Sequence, residues 1–306
     1  MTTFSDYLTH PDYNKKILGG LCSLTVSFTF CLHFFVAKDV MLAVPPIVLG
    51  GTRGVLGGLL LFMIYFRNIK GNFTASNLKM LLSIAFFGYF INQILFLNGL
   101  KLSSPLNTSV IMNTIPVVAA LISMLFRVEV FAWRKILGCF LGFSMIALLT
   151  VTTSTKGLGG AKIGDLLIFA SVVTLCTSTV LTKTLVKKGF PSPIISASML
   201  FFGGLALCTL VSDQLMLIVD YAMVSEINTA KVIFEIVIST ALTYLLSFKA
   251  LKYLAPSQSM IFIYLQPLIT AGIDFLIFAK SPPLILIPVL LGVVFSGYLV
   301  ISADSR

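Results

Sequence analysis

The chain is 306 residues long, 58% hydrophobic and only 10% charged, with a mean hydropathy of +1.03. Soluble domains carry roughly 25% charged residues, so this balance excludes a soluble globular protein and defines a polytopic membrane protein. The net charge of +10 then reads as Lys and Arg gathered in cytoplasmic loops, not as a nucleic-acid surface.

Residues 1–16 form a polar cytoplasmic segment ending in Lys15–Lys16. The apolar run that follows, Ile17 to Ala37, has about the ~20 residues a helix needs to span a bilayer. No small-residue cleavage site follows it, so it is expected to be a retained span and not a signal peptide. Further apolar runs at 45–66, 79–100, 105–126, 133–152, 164–185, 193–216, 231–250, 256–279 and 284–303 bring the total to ten predicted helices in an all-α membrane protein. The longest connection, 217–230, contains DYAMVSEINTA, with room for a surface turn of helix. Cys22, Cys31, Cys139, Cys176 and Cys208 all lie in apolar stretches without metal-ligand spacing and read as packing residues.

With the N-terminus in the cytoplasm, fourteen Lys and Arg fall on the cytoplasmic side and six on the outer side, leaving Arg53 inside the membrane. That asymmetry predicts both termini on the cytoplasmic side.

The chain repeats itself. GLKLSSPLNTSVIMNTIPVVAA at 99–120 returns 151 positions later as ALKYLAPSQSMIFIYLQPLITA at 250–271, so that Pro105 and Pro116 meet Pro256 and Pro267. A shift of 145 brings Gly19, Thr29, Cys31 and Lys38 onto Gly164, Thr174, Cys176 and Lys183. A shift of 146 brings Gly57–Gly58 onto Gly203–Gly204. The halves are thus residues 17–152 and 164–303, five helices each. Because five is odd, the second half must enter the membrane from the opposite side, an inverted repeat of the kind transporters use.

The run from Asn98 to Thr150 resembles the half-unit of the EamA family, within the drug/metabolite transporter superfamily. It carries the turn LKLSSP, then Pro116, the link RVEVFAWRK with Glu129, and LGCFLGFSMIALL. The second half echoes it with LKYLAP, Pro267 and LLGVVFSGYLVIS, and Arg53 resembles the family's arginine in the second helix. The first helix departs from the family's tryptophan–glycine pair with Ser27-Phe28-Thr29-Phe30, and Lys280-Ser281-Pro282-Pro283 stands where the first half has its Glu129 link. The resemblance implies a carrier architecture more firmly than any substrate.

Candidate functional residues are those that an apolar span tolerates poorly. A mid-helix proline removes a backbone N–H and displaces a carbonyl, so Pro116 and Pro267 mark breaks expected to line a substrate path. An ionisable group at a helix centre costs about 2.5–3.5 kcal/mol on the mildest scale. His33, Glu235 and Asp274 are placed in the outer third of their spans and Arg53 deeper, with Arg53 expected to pair with a carboxylate of the protein or of a substrate. Glu235, Ser239 and Thr243 recur every four residues, sharing one helix face. Ser178 lies on the sixth span's counterpart of a polar stripe in the first. Asn92, Gln93, Asn107, Asn113, Gln258, Tyr264 and Gln266 add neutral hydrogen-bonding groups to the expected cavity. Glu235 and Asp274 are the candidate proton carriers.

No nucleotide-binding loop, HExxH or GxSxG motif occurs, and the only histidines are His10 and His33. The expectation is a carrier, not an enzyme, with no cofactor or metal, in the plasma membrane (the inner membrane of a bacterium). It moves a small polar metabolite, an amino acid or related compound, by alternating access, with export as the expected direction. The alternatives are an exchanger of nucleotide-like or phosphorylated metabolites and a non-transporting membrane subunit. Its partners are the lipid bilayer and a small-molecule substrate; no nucleic acid is expected, and the sequence leaves the oligomeric state open.

Overall fold

The computed structural model describes residues 11–65, 74–103, 108, 111–153, 162–266, 268–269 and 285–303, and those residues form helices and turns without strands. Helix α1 spans Pro11–Val40 and α2 spans Pro46–Tyr65. Helix α3 runs through Ala75–Ala85, a π-helical turn Phe86–Phe90, and Ile91–Leu102. Next come α4 (Ile115–Leu125), α5 (Trp133–Thr153), α6 (Lys162–Lys187) and α7 (Ser192–Leu210). A short α8 (Met216–Met223) precedes α9, which runs through Glu226–Ile233, a π-helical stretch Phe234–Leu242, and Thr243–Tyr253. Helix α10 is Pro256–Met260, continued by 3-10 turns over Ile261–Leu265, and α11 is Leu286–Ser302.

Six described stretches are long and apolar enough to cross a membrane: Asn14–Ala37, Pro46–Tyr65, Ala75–Leu100, Ile163–Lys187, Ser192–Leu210 and Glu226–Tyr253. The helices Ile115–Leu125 and Leu286–Ser302 are apolar but shorter. Two expectations change in detail. The seventh run stops at Leu210, because Val211 leaves helical geometry (φ −132°, ψ 34°), and the connection beyond it holds α8. The fourth run is broken at Asn113–Thr114, where the Thr114 N–H turns back to the Ile111 carbonyl at 2.9 Å. Pro116, expected in mid-helix, therefore sits in the first turn of α4, where a missing N–H leaves no bond unmade. Pro267, Asn107 and Asp274 lie outside the described residues.

Helix pairing follows the repeat. Helix α2 packs most extensively with α7, α5 with α11, α3 with α6, and α1 with α9. Exchanging the halves (α1 for α6, α2 for α7, α3 for α9, α5 for α11) turns the α3–α6 pair into α9–α1 and leaves the other two pairs unchanged. Individual contacts obey the same exchange. A Cβ on Gly203 would lie 2.6 Å from Tyr89, and one on Gly57 would lie 3.2 Å from Thr240. The shifts 57 + 146 = 203 and 89 + 151 = 240 make these one contact written twice.

The α2–α7 crossing is made by glycine. A Cβ on Gly54 would come within 2.9 Å of the Gly204 Cα, and one on Gly58 within 2.5 Å of the Phe201 nitrogen. Without Cβ atoms the two backbones approach closely, as small-xxx-small seams permit in membranes. This crossing fixes the depth of Arg53, which sits between Gly51 and Gly54 on α2.

Candidate functional site: a buried ionic cluster between α1, α2 and α9

Three of the ionisable residues singled out in the apolar runs come together. His33 lies seven residues before the end of α1, Arg53 seven after the start of α2, and Glu235 nine after the start of α9. At 1.5 Å per residue, each sits about 10–14 Å in from the same end of the bundle. Glu235 is 0% exposed and Arg53 9%.

The bonding pattern is specific. The Glu235 carboxylate lies 2.8 and 3.0 Å from His33 Nδ1. A carboxylate only accepts, so Nδ1 carries the proton and donates. Arg53 Nη1 donates to Glu235 Oε2 at 3.2 Å and lies 3.2 and 3.3 Å from His33 Nε2 and Nδ1. The imidazole therefore lies against both a guanidinium and a carboxylate, and the charges of Arg53 and Glu235 balance each other. Ser239 adds an O–H donor to Glu235 Oε2 at 3.3 Å. A charge this deep is tolerable only when paired and hydrogen-bonded, and Glu235 has three donors.

Arg53 is less completely served: its Nε is buried and makes no hydrogen bond. Beside it the Tyr89 and Tyr244 rings meet edge to face at 6.0 Å. Tyr89 is anchored by its hydroxyl, which donates to the Gly50 carbonyl at 2.7 Å. Its ring lies where a Cβ on Gly54 would be 2.7 Å away.

The π-helical stretch Phe234–Leu242 carries both Glu235 and Ser239. Widening the turn leaves bonds of longer reach, such as the Thr243 N–H to Ile238 O, which the Thr243 hydroxyl doubles at 2.8 Å. Such bulges concentrate at functional sites. Helix α3 carries its own π turn at Phe86–Phe90. Adding 151 places that turn at 237–241, inside the one in α9.

Other predicted site residues lie elsewhere. Asn92 donates to the Ser171 carbonyl at 2.8 Å and joins α3 to α6. Gln258 caps the start of α10, accepting from the Ala255 N–H at 3.1 Å, and donates to Ile301 O. Tyr264 is 0% exposed and donates to the Cys139 carbonyl at 2.8 Å. Ser178 donates to the Ile84 carbonyl at 3.4 Å. The polar atoms of these four join helices to one another. Gln93 is buried, with its Oε1 near Gly50 on the flank of α2; Asn113 is buried at the break before α4, and Gln266 is half-buried. A hollow of about 350 Å³ lies apart from the cluster, and its described lining residues are all leucine and isoleucine, Leu24 and Leu268 among them.

Sequence reasoning passed over Tyr89, whose signal was a lone tyrosine in an apolar run facing a glycine-rich helix. It also passed over the pair Glu129–Lys135, read as loop charges but both buried. Among the described residues no group of three or more His, Cys, Asp or Glu is arranged to hold a metal ion.

A chain whose described residues are helical, with several membrane-length apolar helices and a buried charge cluster joining its halves, is an integral multi-pass membrane protein of the transporter class. The model of the EamA-like transporter family matches it twice, over residues 17–151 and 162–303. The chain belongs to that family, hence to the drug/metabolite transporter superfamily, and is a transporter, not an enzyme. It is similar to the uncharacterized transporter YyaM of Bacillus subtilis (strain 168), 25% identical over 219 residues, 71% of each chain. A solved crystal structure shares the fold at a TM-score of 0.74 and 15% identity, over 95% of this chain and 98% of the other.

Proposed function

We propose that this transporter is a secondary carrier that moves a small polar metabolite, an amino acid or related compound, outward by alternating access. Two inverted five-span halves, with both termini in the cytoplasm, exchange conformations about a site at the Arg53–Glu235–His33 cluster. The observation that carries this reading is that α1 and α2 from the first half and α9 from the second jointly bury one guanidinium, one carboxylate and one imidazole. Rigid-body motion of one half against the other must make and break that junction. The buried Nε of Arg53 is a hydrogen-bond donor without a partner, suited to a substrate carboxylate. Glu235, already satisfied by three donors, suits release to a substrate ammonium or to a proton. A phosphorylated substrate would need several cations. The cluster offers Arg53 alone as a fixed charge, balanced by Glu235, which disfavours that alternative.

The test is uptake and counterflow by the purified chain in lipid vesicles, screened across amino acids, nucleosides and sugar phosphates. Exchange of amino-acid-like compounds, lost at least about tenfold in Arg53→Gln as expected for one charge-assisted contact, supports the reading. Exchange of sugar phosphates alone, or none at all, defeats it. Glu235 is the described candidate for proton coupling. Uptake driven by an imposed pH gradient and abolished in Glu235→Gln, with counterflow retained, is the expected signature.

A further inference from the structure

At the end of the bundle away from the ionic cluster lies a second buried ionic network, one that the substrate site does not use. Glu129, in the link between α4 and α5, is 8% exposed, and Lys135, near the start of α5, is 0% exposed. Lys135 Nζ donates to Glu129 Oε2 at 2.9 Å. The same carboxylate crosses to the second half of the chain. Its Oε1 accepts from the Ser257 N–H at 2.9 Å and its Oε2 from the Ser257 hydroxyl at 2.5 Å. Nearby, Lys187 of α6 donates to the Val128 carbonyl at 2.8 Å, a second bond between halves. Lys183 donates to the Leu251 and Leu254 carbonyls at 2.5 and 2.6 Å, covering acceptors left open where α9 ends.

Three features distinguish this network from an ordinary surface contact. It is buried, so each charge depends on its partner and cannot fall back on water. It joins the two halves, the parts that must separate at one end for a substrate to pass. It is also one-sided. Subtracting 151 from Ser257 gives Leu106, which has no side-chain donor, and the second half has Lys280-Ser281-Pro282-Pro283 where the first has its Glu129 link. The repeat therefore supplies no copy at the opposite end. The cluster and this network also lie at opposite ends of one rod, since α9 begins at Glu226 beside the cluster and ends at Tyr253 beside Ser257.

We propose that Glu129, Lys135 and Ser257 form a latch that seals this end of the bundle and opens in each cycle, holding the resting carrier closed here and poised to open at the cluster's end. This rests on the carrier reading, since a static protein needs no gate. Opening withdraws Ser257 from the carboxylate, which keeps Lys135 as its partner. The ion pair therefore stays neutralised in both states, and the bonds given up are the two to Ser257 and the one from Lys187 to the Val128 carbonyl.

The experiment measures a distance and needs no substrate. In the full chain, with the five native cysteines replaced by alanine, spin labels are placed at Val130→Cys and Lys252→Cys, both exposed, and the protein is studied in lipid vesicles. The unaltered latch should give one short distance. Ser257→Ala removes the hydroxyl bond to a charged acceptor, and the ratio of long to short distances should rise roughly tenfold. Glu129→Gln combined with Lys135→Met discharges both ions together, avoids stranding a buried lysine, and should shift the ratio in the same direction. Unchanged distances in both variants, even with a fall in thermal stability, would overturn the proposal and make the network a static staple. If the transport screen finds no substrate while the distances respond, the carrier reading fails and the latch stands as a mobile junction.

Discussion

The repeat sets two sites side by side with opposite chemistry. The shifts 33 + 145, 53 + 146 and 84 + 151 relate His33, Arg53 and Glu235 to Ser178, Met199 and Ile84. The second trio also meets in space: Ser178 donates to the Ile84 carbonyl at 3.4 Å and lies 4.0 Å from Met199 Sδ. One site is an ion pair bridged by an imidazole, and the other is a core of isoleucine and methionine, 0% and 1% exposed. The scaffold is duplicated but the charge is not. The duplicated scaffold thus packs one copy of these positions without ions, so its shape does not demand a charge at both. A buried ion pair adds little or nothing to stability over an apolar replacement, which under the proposed function leaves the cluster to serve binding and release.

The strongest way to break the comparison is to remove one charge and then all of them. Glu235→Ala strands Arg53 and should lower stability by about 3–5 kcal/mol, as for other broken buried pairs, with transport lost. The triple variant His33→Ser, Arg53→Met, Glu235→Ile writes the apolar trio into the charged site. It should recover most of that stability in detergent melting experiments and still transport nothing. A triple variant as unstable as the single one would show that the cluster holds the fold together.

Next in size is the scaffold beneath the cluster. Gly54→Ala places a methyl 2.7 Å from Tyr89 and 2.9 Å from the Gly204 Cα, an overpacking that costs about 1–3 kcal/mol. Gly297→Ala meets nothing within 4 Å and should change melting by less than about 0.5 kcal/mol. The pair tests whether the α2–α7 seam positions Arg53 or merely tolerates it.

These contrasts also show what the sequence could reveal. The halves were legible because prolines and glycines recur at fixed offsets, and residues costly in a membrane stand out wherever they recur. His33, Arg53 and Glu235 were legible one by one for the same reason. A carboxylate partner for Arg53 was expected, but which one was not legible, because sequence gives the depth of a residue along its own helix and not which helices are neighbours. Asn92, Gln258 and Tyr264 show a second limit: polarity alone does not separate a group facing a cavity from one bonding a neighbouring helix's backbone. Glu129 and Lys135 were hidden by their address, since a charge in a short link is normally solvated. The π turns in α3 and α9 have no composition signal at all; only the hydrogen-bond register exposes them.

A smaller effect should come from Ser239→Ala, which deletes one of Glu235's three donors and leaves the ion pair intact. A net loss of about 1 kcal/mol is expected, with transport reduced several-fold and not abolished. The apolar site has glycine at the same position, since 239 − 151 gives Gly88, and Ser178 fills the space there: a Cβ on Gly88 would lie 2.1 Å from its hydroxyl. The serine therefore belongs to the charge and not to the packing.

The smallest effect separates burial from charge. Asp39 and Lys231 form an ion pair at 2.5 Å, shorter than any contact in the cluster, and Tyr221 donates to the same carboxylate oxygen at 3.3 Å. Their side chains are 48% and 28% exposed, so water and salt compete for both charges. The hydrogen bond from Lys231 holds the Asp39 carboxyl below the ordinary carboxylate range. A lowered folded value means that the contribution is present above the ordinary carboxylate pKa and fades as pH falls through the depressed one. Asp39→Asn should therefore lower the melting temperature only slightly at neutral pH, and acidification through the depressed value should remove even that difference. If Asp39→Asn proved as damaging as Glu235→Ala, the short distance would matter more than the burial, and the contrast between the charged and apolar sites would lose its physical basis.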